Sequence, residues 1–153
     1  MKSFYHACRL DFLLFMRIWG AGLLASGFSF FLLYLSQPPG KFPEAAYFFL
    51  LPVLVWFTFK PKLKVVFLTV FITGFIYHVG LIGWIRNVSP IGMVLASIIT
   101  TSYILPWFLL AGRWIDRYSH GGFFLRLVLI LALSSIWVII EWLRSLFSLG
   151  FPW

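Results

Sequence analysis

Glu141 and Arg144 set a carboxylate and a guanidinium three residues apart inside the last apolar run of the chain. On a helix, Trp137, Glu141, Arg144 and Ser148 follow i, i+4, i+7 and i+11, so all four share one face. Charges at membrane depth are costly and mark functional positions by default. The competing reading is a pair one turn apart that neutralises itself at the outer interface, with the Arg144 stem reaching toward water. His78 sits in the middle of another apolar run, where it could relay protons or serve as a neutral, hydrogen-bonded packing residue. Cys8 is the only thiol, so there is no internal disulfide. The three histidines have no ligand spacing between them and Cys8 is remote, so neither a metal site nor a cofactor site is expected. Asp116 with Arg113 and Arg117 reads as a solvated loop cluster whose two arginines are available to anionic headgroups.

The elements that must position these residues are membrane helices. The 153-residue chain is 62 % hydrophobic and 10 % charged. Its mean hydropathy is +1.00. Soluble domains carry roughly 25 % charged residues, so that class is excluded. The net charge of +8 comes in short clusters between apolar runs and not on one face or tail, which argues against a nucleic-acid partner. About 20 mostly apolar residues cross a bilayer. The expected fold is all-α, a polytopic integral membrane helical bundle of about five transmembrane helices. The spans fall near 18–36, 45–59, 65–85, 91–112 and 124–148, all in one domain covering 1–153. The second carries Pro52 and has only fifteen uncharged residues, and Pro106 should kink the fourth. The N-terminus reads as a retained anchor and not a cleaved signal.

Counting Lys and Arg in alternate connections gives the orientation. One side collects Lys2, Arg9, Arg17, Lys60, Lys62, Lys64, Arg113, Arg117 and Arg126, while the other has Lys41, Arg86 and Arg144. The richer side, with the N-terminus, is expected in the cytoplasm. Small residues that allow close helix approach are Ala21, Ala25 and Ser29 in the first span, with Thr69, Thr73 and Gly80 in the third. Trp84 and Arg86-Asn87 lie where the third span should meet the outer surface, so Trp84 reads as an interface anchor or a contact to a lipid headgroup or chain.

The terminal run Glu141-Trp142-Leu-Arg144-x4-Leu149-Gly150-Phe151-Pro152-Trp153 resembles the E-[WF]-L-R-x4-T-G-F-P-W signature of the apolipoprotein N-acyltransferases. Leu149 stands where that family usually has Thr. Gly74-Phe-x5-Gly80-Leu-x2-Trp84-x4-Ser89 is similar to the family's G-F-x5-G-x2-W-x3-S region with looser spacing, and Ser36-Gln-Pro-Pro39 with Leu51-Pro52 looks like its first hairpin. The likeness runs from about residue 15 to the end. It implies a place in the bacterial cytoplasmic (inner) membrane and a part in lipoprotein maturation. There a fatty acyl chain passes from a phospholipid to the N-terminal amine of a lipoprotein, through a thioester on a Glu-Lys-Cys triad in a nitrilase-like domain.

The resemblance thus implies membrane phospholipids as partners, with a C-terminal nitrilase-like chain and a lipoprotein substrate completing the system. A thioester mechanism needs a thiol beside a base. Cys8 falls on the cytoplasmic side and Glu141 near the outer one, so no catalytic residue is expected in this chain. Trp84, Trp137, Glu141, Trp142, Arg144 and Gly150 to Trp153 are the candidate family-motif or lipid-facing positions. Two readings follow. One is the N-terminal membrane part of an N-acyltransferase, truncated or split, serving as scaffold and lipid groove. The other is a stand-alone small membrane interaction or assembly protein without enzyme activity. The topology is testable by thiol labelling of intact cells. A membrane-impermeant reagent should modify K41C and R86C but neither K62C nor R117C, and the reverse pattern would invert the orientation.

Overall fold

The structure, a computed structural model, describes residues 2–37, 41–118 and 120–147, with side chains placed for 17–37, 41–118 and 120–146. Among these residues there is no strand, and five α-helices occur in order: α1 Lys2–Ser36, α2 Leu51–Phe57, α3 Leu63–Leu81, α4 Pro90–Tyr118 and α5 Phe123–Phe147. Two 3₁₀ turns, Pro43–Tyr47 and Gly83–Asn87, precede α2 and α4. Four helices contain a stretch long and apolar enough to cross a membrane, within 17–36, 63–81, 90–118 and 123–146.

The expected second span is not one continuous helix. The stretch over 43–57 is a 3₁₀ turn, a bend and the seven-residue α2. Pro43 and Pro52 at the starts of its two pieces, and Pro61 beyond its end, are the reason, because proline lacks the N–H that a helix interior needs. It nonetheless carries the chain back along α1. Val53 N–H donates to Ser29 Oγ at 3.3 Å, and Trp56 lies over Gly22. The first N–H groups of any helix lack intrahelical acceptors, so Ser29 serves α2 as a cap supplied from another helix. Lys60, at φ 53°, then turns the chain in the left-handed region ahead of Pro61.

α1 and α3 run parallel, with Phe30 against Gly74 and Tyr34 against Gly80, and α4 returns antiparallel, with Thr101 against Gly74. Phe57 meets Gly112, and Lys60 pairs with Asp116 at 3.1 Å. α5 then runs back beside α4. The bundle therefore has two ends. Lys60, Lys62, Lys64, Arg113, Arg117 and Arg126 collect at one, and Gln37, Lys41, Arg86 and Arg144 at the other. The alternation expected from the charges is present, although its second limb is irregular.

Other boundaries shift for local reasons. α3 stops at Leu81 and not Ile85, since the chain tightens into a 3₁₀ turn from Gly83. α4 starts at Pro90 because Ser89 Oγ accepts the Gly92 N–H at 3.0 Å, a serine cap followed by proline at the first helical position. It also continues to Tyr118, through the residues read above as a loop. Asp116 is consequently a helix residue paired with Lys60 and not a member of a loop cluster with Arg113 and Arg117.

The core gathers Phe30, Val53, Trp56, Phe57, Val66, Val70, Ile104, Trp107 and Phe108 from α1 to α4. Along α1 the inward stripe is Gly22, Ser26, Ser29 and Phe30. Of the expected Ala21, Ala25 and Ser29, only Ser29 is fully buried, and Ala21 is exposed. The indole of Trp56 fixes this register: a Cβ on Gly22 would come within 2.5 Å of its Cζ2. The Gly22→Ala chain should therefore lose about 1–3 kcal/mol of stability through overpacking. Gly20→Ala, with nothing within 4 Å of the added carbon, should change little. Thermal unfolding in detergent compares the two, and equal melting temperatures would rule out the proposed contact.

Candidate functional site

A cavity of about 220 Å³ lies at the Gln37 end of the bundle, lined by Leu33, Gln37, Phe49, Tyr77, His78, Leu81, Ile104, Trp137, Glu141 and Arg144. α1, α3, α4, α5 and the bend before α2 all contribute to its wall. The i, i+4, i+7 spacing on α5 thus does what the sequence suggested, turning Trp137, Glu141 and Arg144 into one space. Arg144 donates a guanidinium N–H to Glu141 Oε2. The pair is only partly shielded, with 13 % of the Arg144 side chain and 32 % of the Glu141 side chain exposed.

His78 takes the hydrogen-bonded packing role that the sequence allowed. It is buried, and its Nδ1 lies 2.8 Å from Gly74 O and 3.0 Å from Thr101 Oγ1. A carbonyl can only accept, so Nδ1 carries the hydrogen. The Thr101 hydroxyl already donates to Ser97 O at 2.7 Å and accepts from the same ring nitrogen. In the neutral ring this leaves Nε2 as an acceptor. Glu141, from α5, lines the same cavity as His78. No spacing along the chain signals that meeting, because 63 residues and two reversals separate them.

Trp137 forms the floor. Its ring meets Trp107 edge-on at 5.1 Å, Phe108 at 6.4 Å and Phe49 at 5.6 Å. Trp107 Nε1 donates to Leu133 O at 2.8 Å, tying α4 to α5 one turn below Trp137. The two remaining described candidates are elsewhere. Trp84 is half exposed on the 3₁₀ turn before α4, and Trp142 is 60 % exposed on the outward face of α5. Neither lines the cavity, and both suit an interface position. Gly150, Phe151, Pro152 and Trp153 lie outside the described residues, as does Ser148.

A second, apolar groove of about 270 Å³ runs between α1 and α3, lined by Gly27, Phe30, Phe31, Tyr34, Thr73, Ile76, Tyr77 and Gly80. Tyr77 belongs to both spaces, with the Phe30 ring stacked at 5.4 Å on one side and His78 edge-on at 4.9 Å on the other. The result is a polar chamber joined at one aromatic wall to an apolar slot. Among the described residues no cluster of His, Cys, Asp or Glu could hold a metal ion.

Four apolar helices around satisfied interior hydroxyls define a helical membrane protein. The chain belongs to the apolipoprotein N-acyltransferase family: the N-terminal domain of that family matches it over residues 26–153. No curated protein and no solved structure matches the chain.

Removing one partner of a shielded ion pair strands the other, whereas removing both can be nearly neutral. Glu141→Ala and Arg144→Ala should each destabilise by roughly 1–3 kcal/mol, less than a fully buried pair because both groups are only partly shielded. The double variant should lose less than the sum. A double-mutant cycle on thermal stability measures this, and strict additivity would show that the contact contributes nothing.

Proposed function

We propose that this chain is the membrane-embedded part of an apolipoprotein N-acyltransferase-like system. In that role it acts as scaffold and lipid-groove element for phospholipid-to-lipoprotein acyl transfer in the bacterial inner membrane, and does not perform the transfer alone. The observation that carries this reading is the polar chamber of Gln37, His78, Glu141 and Arg144 joined to the α1–α3 groove through Tyr77. A phospholipid combines a charged head with long apolar chains. Arg144 offers a cation to the phosphate and Glu141 an anion to a headgroup amine, while the groove offers an apolar bed for a chain.

The chemistry of transfer is assigned elsewhere on reach. A thiol acts as a nucleophile when an adjacent base activates it. Cys8 precedes Ser36, the last residue of α1, by 28 residues, roughly 42 Å of helix at 1.5 Å per residue. That separation supports a transfer step carried out by residues other than Cys8.

The test uses the full chain in nanodiscs with a phospholipid carrying a photoactivatable group in one acyl chain. Cross-links should concentrate on the α1–α3 groove and fall when Gly27→Leu fills it, since a Cβ at Gly27 meets only Thr73 at 3.8 Å. Cross-links spread evenly over all lipid-facing helices would favour a stand-alone interaction protein. Acyl transfer from phospholipid to a lipopeptide by the purified chain would contradict the division of labour.

A further inference from the structure

At the opposite end of the bundle, a groove of about 390 Å³ opens between α4 and α5, lined by Trp114, Tyr118, Leu125, Val128, Leu129 and Ala132. Its walls are apolar apart from one indole and one phenol. Such rings sit where hydrocarbon meets headgroups, one edge apolar and the other wet. The groove therefore lies in the outermost part of one leaflet, the leaflet of the basic end.

Arginines flank it on both helices. Arg117 follows Trp114 by one turn of α4 and packs against the neighbouring Tyr118 ring, its guanidinium carbon 5.9 Å from the centroid. Arg126 stands one turn before Leu129 on α5, and its Nε donates to Gly121 O at 3.0 Å, which holds the group at the α4–α5 corner. Arg113 lies one turn before Arg117 on α4, and it too is exposed. Little offsets these charges. Among the side chains described at this end the only acid is Asp116, and Lys60 engages it at 3.1 Å. Basic pockets between membrane helices recognise anionic headgroups, and each Lys or Arg near the surface contributes separately to that attraction.

We propose that this α4–α5 groove is a binding site for an anionic phospholipid of the cytoplasmic leaflet. One acyl chain lies along Leu125, Val128, Leu129 and Ala132, and the phosphate meets Arg117 and Arg126. Charge complementarity selects the occupant. A second copy of the chain would bring the same uncompensated arginines together, and a zwitterionic lipid would leave the excess positive charge unanswered. The site is independent of the chamber at the Gln37 end, so either can fail without the other.

The experiment is native mass spectrometry of the full chain released from nanodiscs of equal phosphatidylglycerol and phosphatidylcholine content. The wild-type chain should retain phosphatidylglycerol preferentially. In R117Q/R126Q that preference should fall about thirtyfold, the order expected for two basic contacts at a membrane surface. K62Q/K64Q removes the same charge from the same end but away from the groove, and should keep the preference. V128W, at an exposed position in the groove, should reduce retained lipid with the charge unchanged. Because Arg126 also ties Gly121, R117Q alone is read beside the double variant and should move in the same direction. Equal losses in the two double variants would mean diffuse attraction and overturn the proposal. Full retention in V128W, or no preference in the wild-type chain, would overturn it as well.

Discussion

Hydrocarbon offers no hydrogen-bond partner, and this constraint decides how the buried hydroxyls inside the bundle are arranged. Ser26, Thr69, Thr73, Ser97, Thr100 and Thr101 each donate to a carbonyl about one turn earlier in their own helix, at 2.6 to 2.8 Å. Their hydroxyl protons are thereby spent within single helices and leave the apolar core to close around them. Packing between α1 and α2, and of α3 with α1 and α4, then rests on shape, with Gly22 beneath Trp56 and Gly74 between Phe30 and Thr101.

Against that background, polar groups answered from a different element stand out. Ser29 satisfies α2, His78 meets Thr101, and Trp107 reaches the Leu133 carbonyl. Each joins elements that hydrophobic contact alone would leave free to slide. The first makes an irregular crossing affordable where three prolines forbid a continuous helix. The second and third stand beside the chamber, so the groups that hold the helices in register also fix the walls of the candidate site. Glu141 and Arg144 complete it, an ion pair left partly exposed at the rim.

Much of this was legible in the chain. Segregated charges gave the alternation of the bundle's two ends, because membrane insertion sorts Lys and Arg by side whatever the internal packing. The helical spacing of Trp137, Glu141 and Arg144 identified one wall of the chamber. Periodicity could not supply what depends on rotation of one helix against another. On α1 the inward stripe proved to be Gly22, Ser26 and Ser29, one residue round from Ala21 and Ala25, since the bulk of Trp56 needs a glycine opposite it. A helix apolar on every side carries no periodic signal to set that angle. The packing role of His78 was open to a sequence reading, but its partner Thr101 was not, because that residue comes from another helix and nothing local to His78 names it.

The manner in which α5 is held has a mechanical consequence. In close backbone packing it meets α4 alone, and the Trp107 indole fastens it at Leu133. Beyond that point Ile136, Trp137 and Ile140 continue to pack against the core, so α5 is held along its inner face up to the residue before Glu141. The position of the carboxylate is therefore set by side chains that carry no charge themselves.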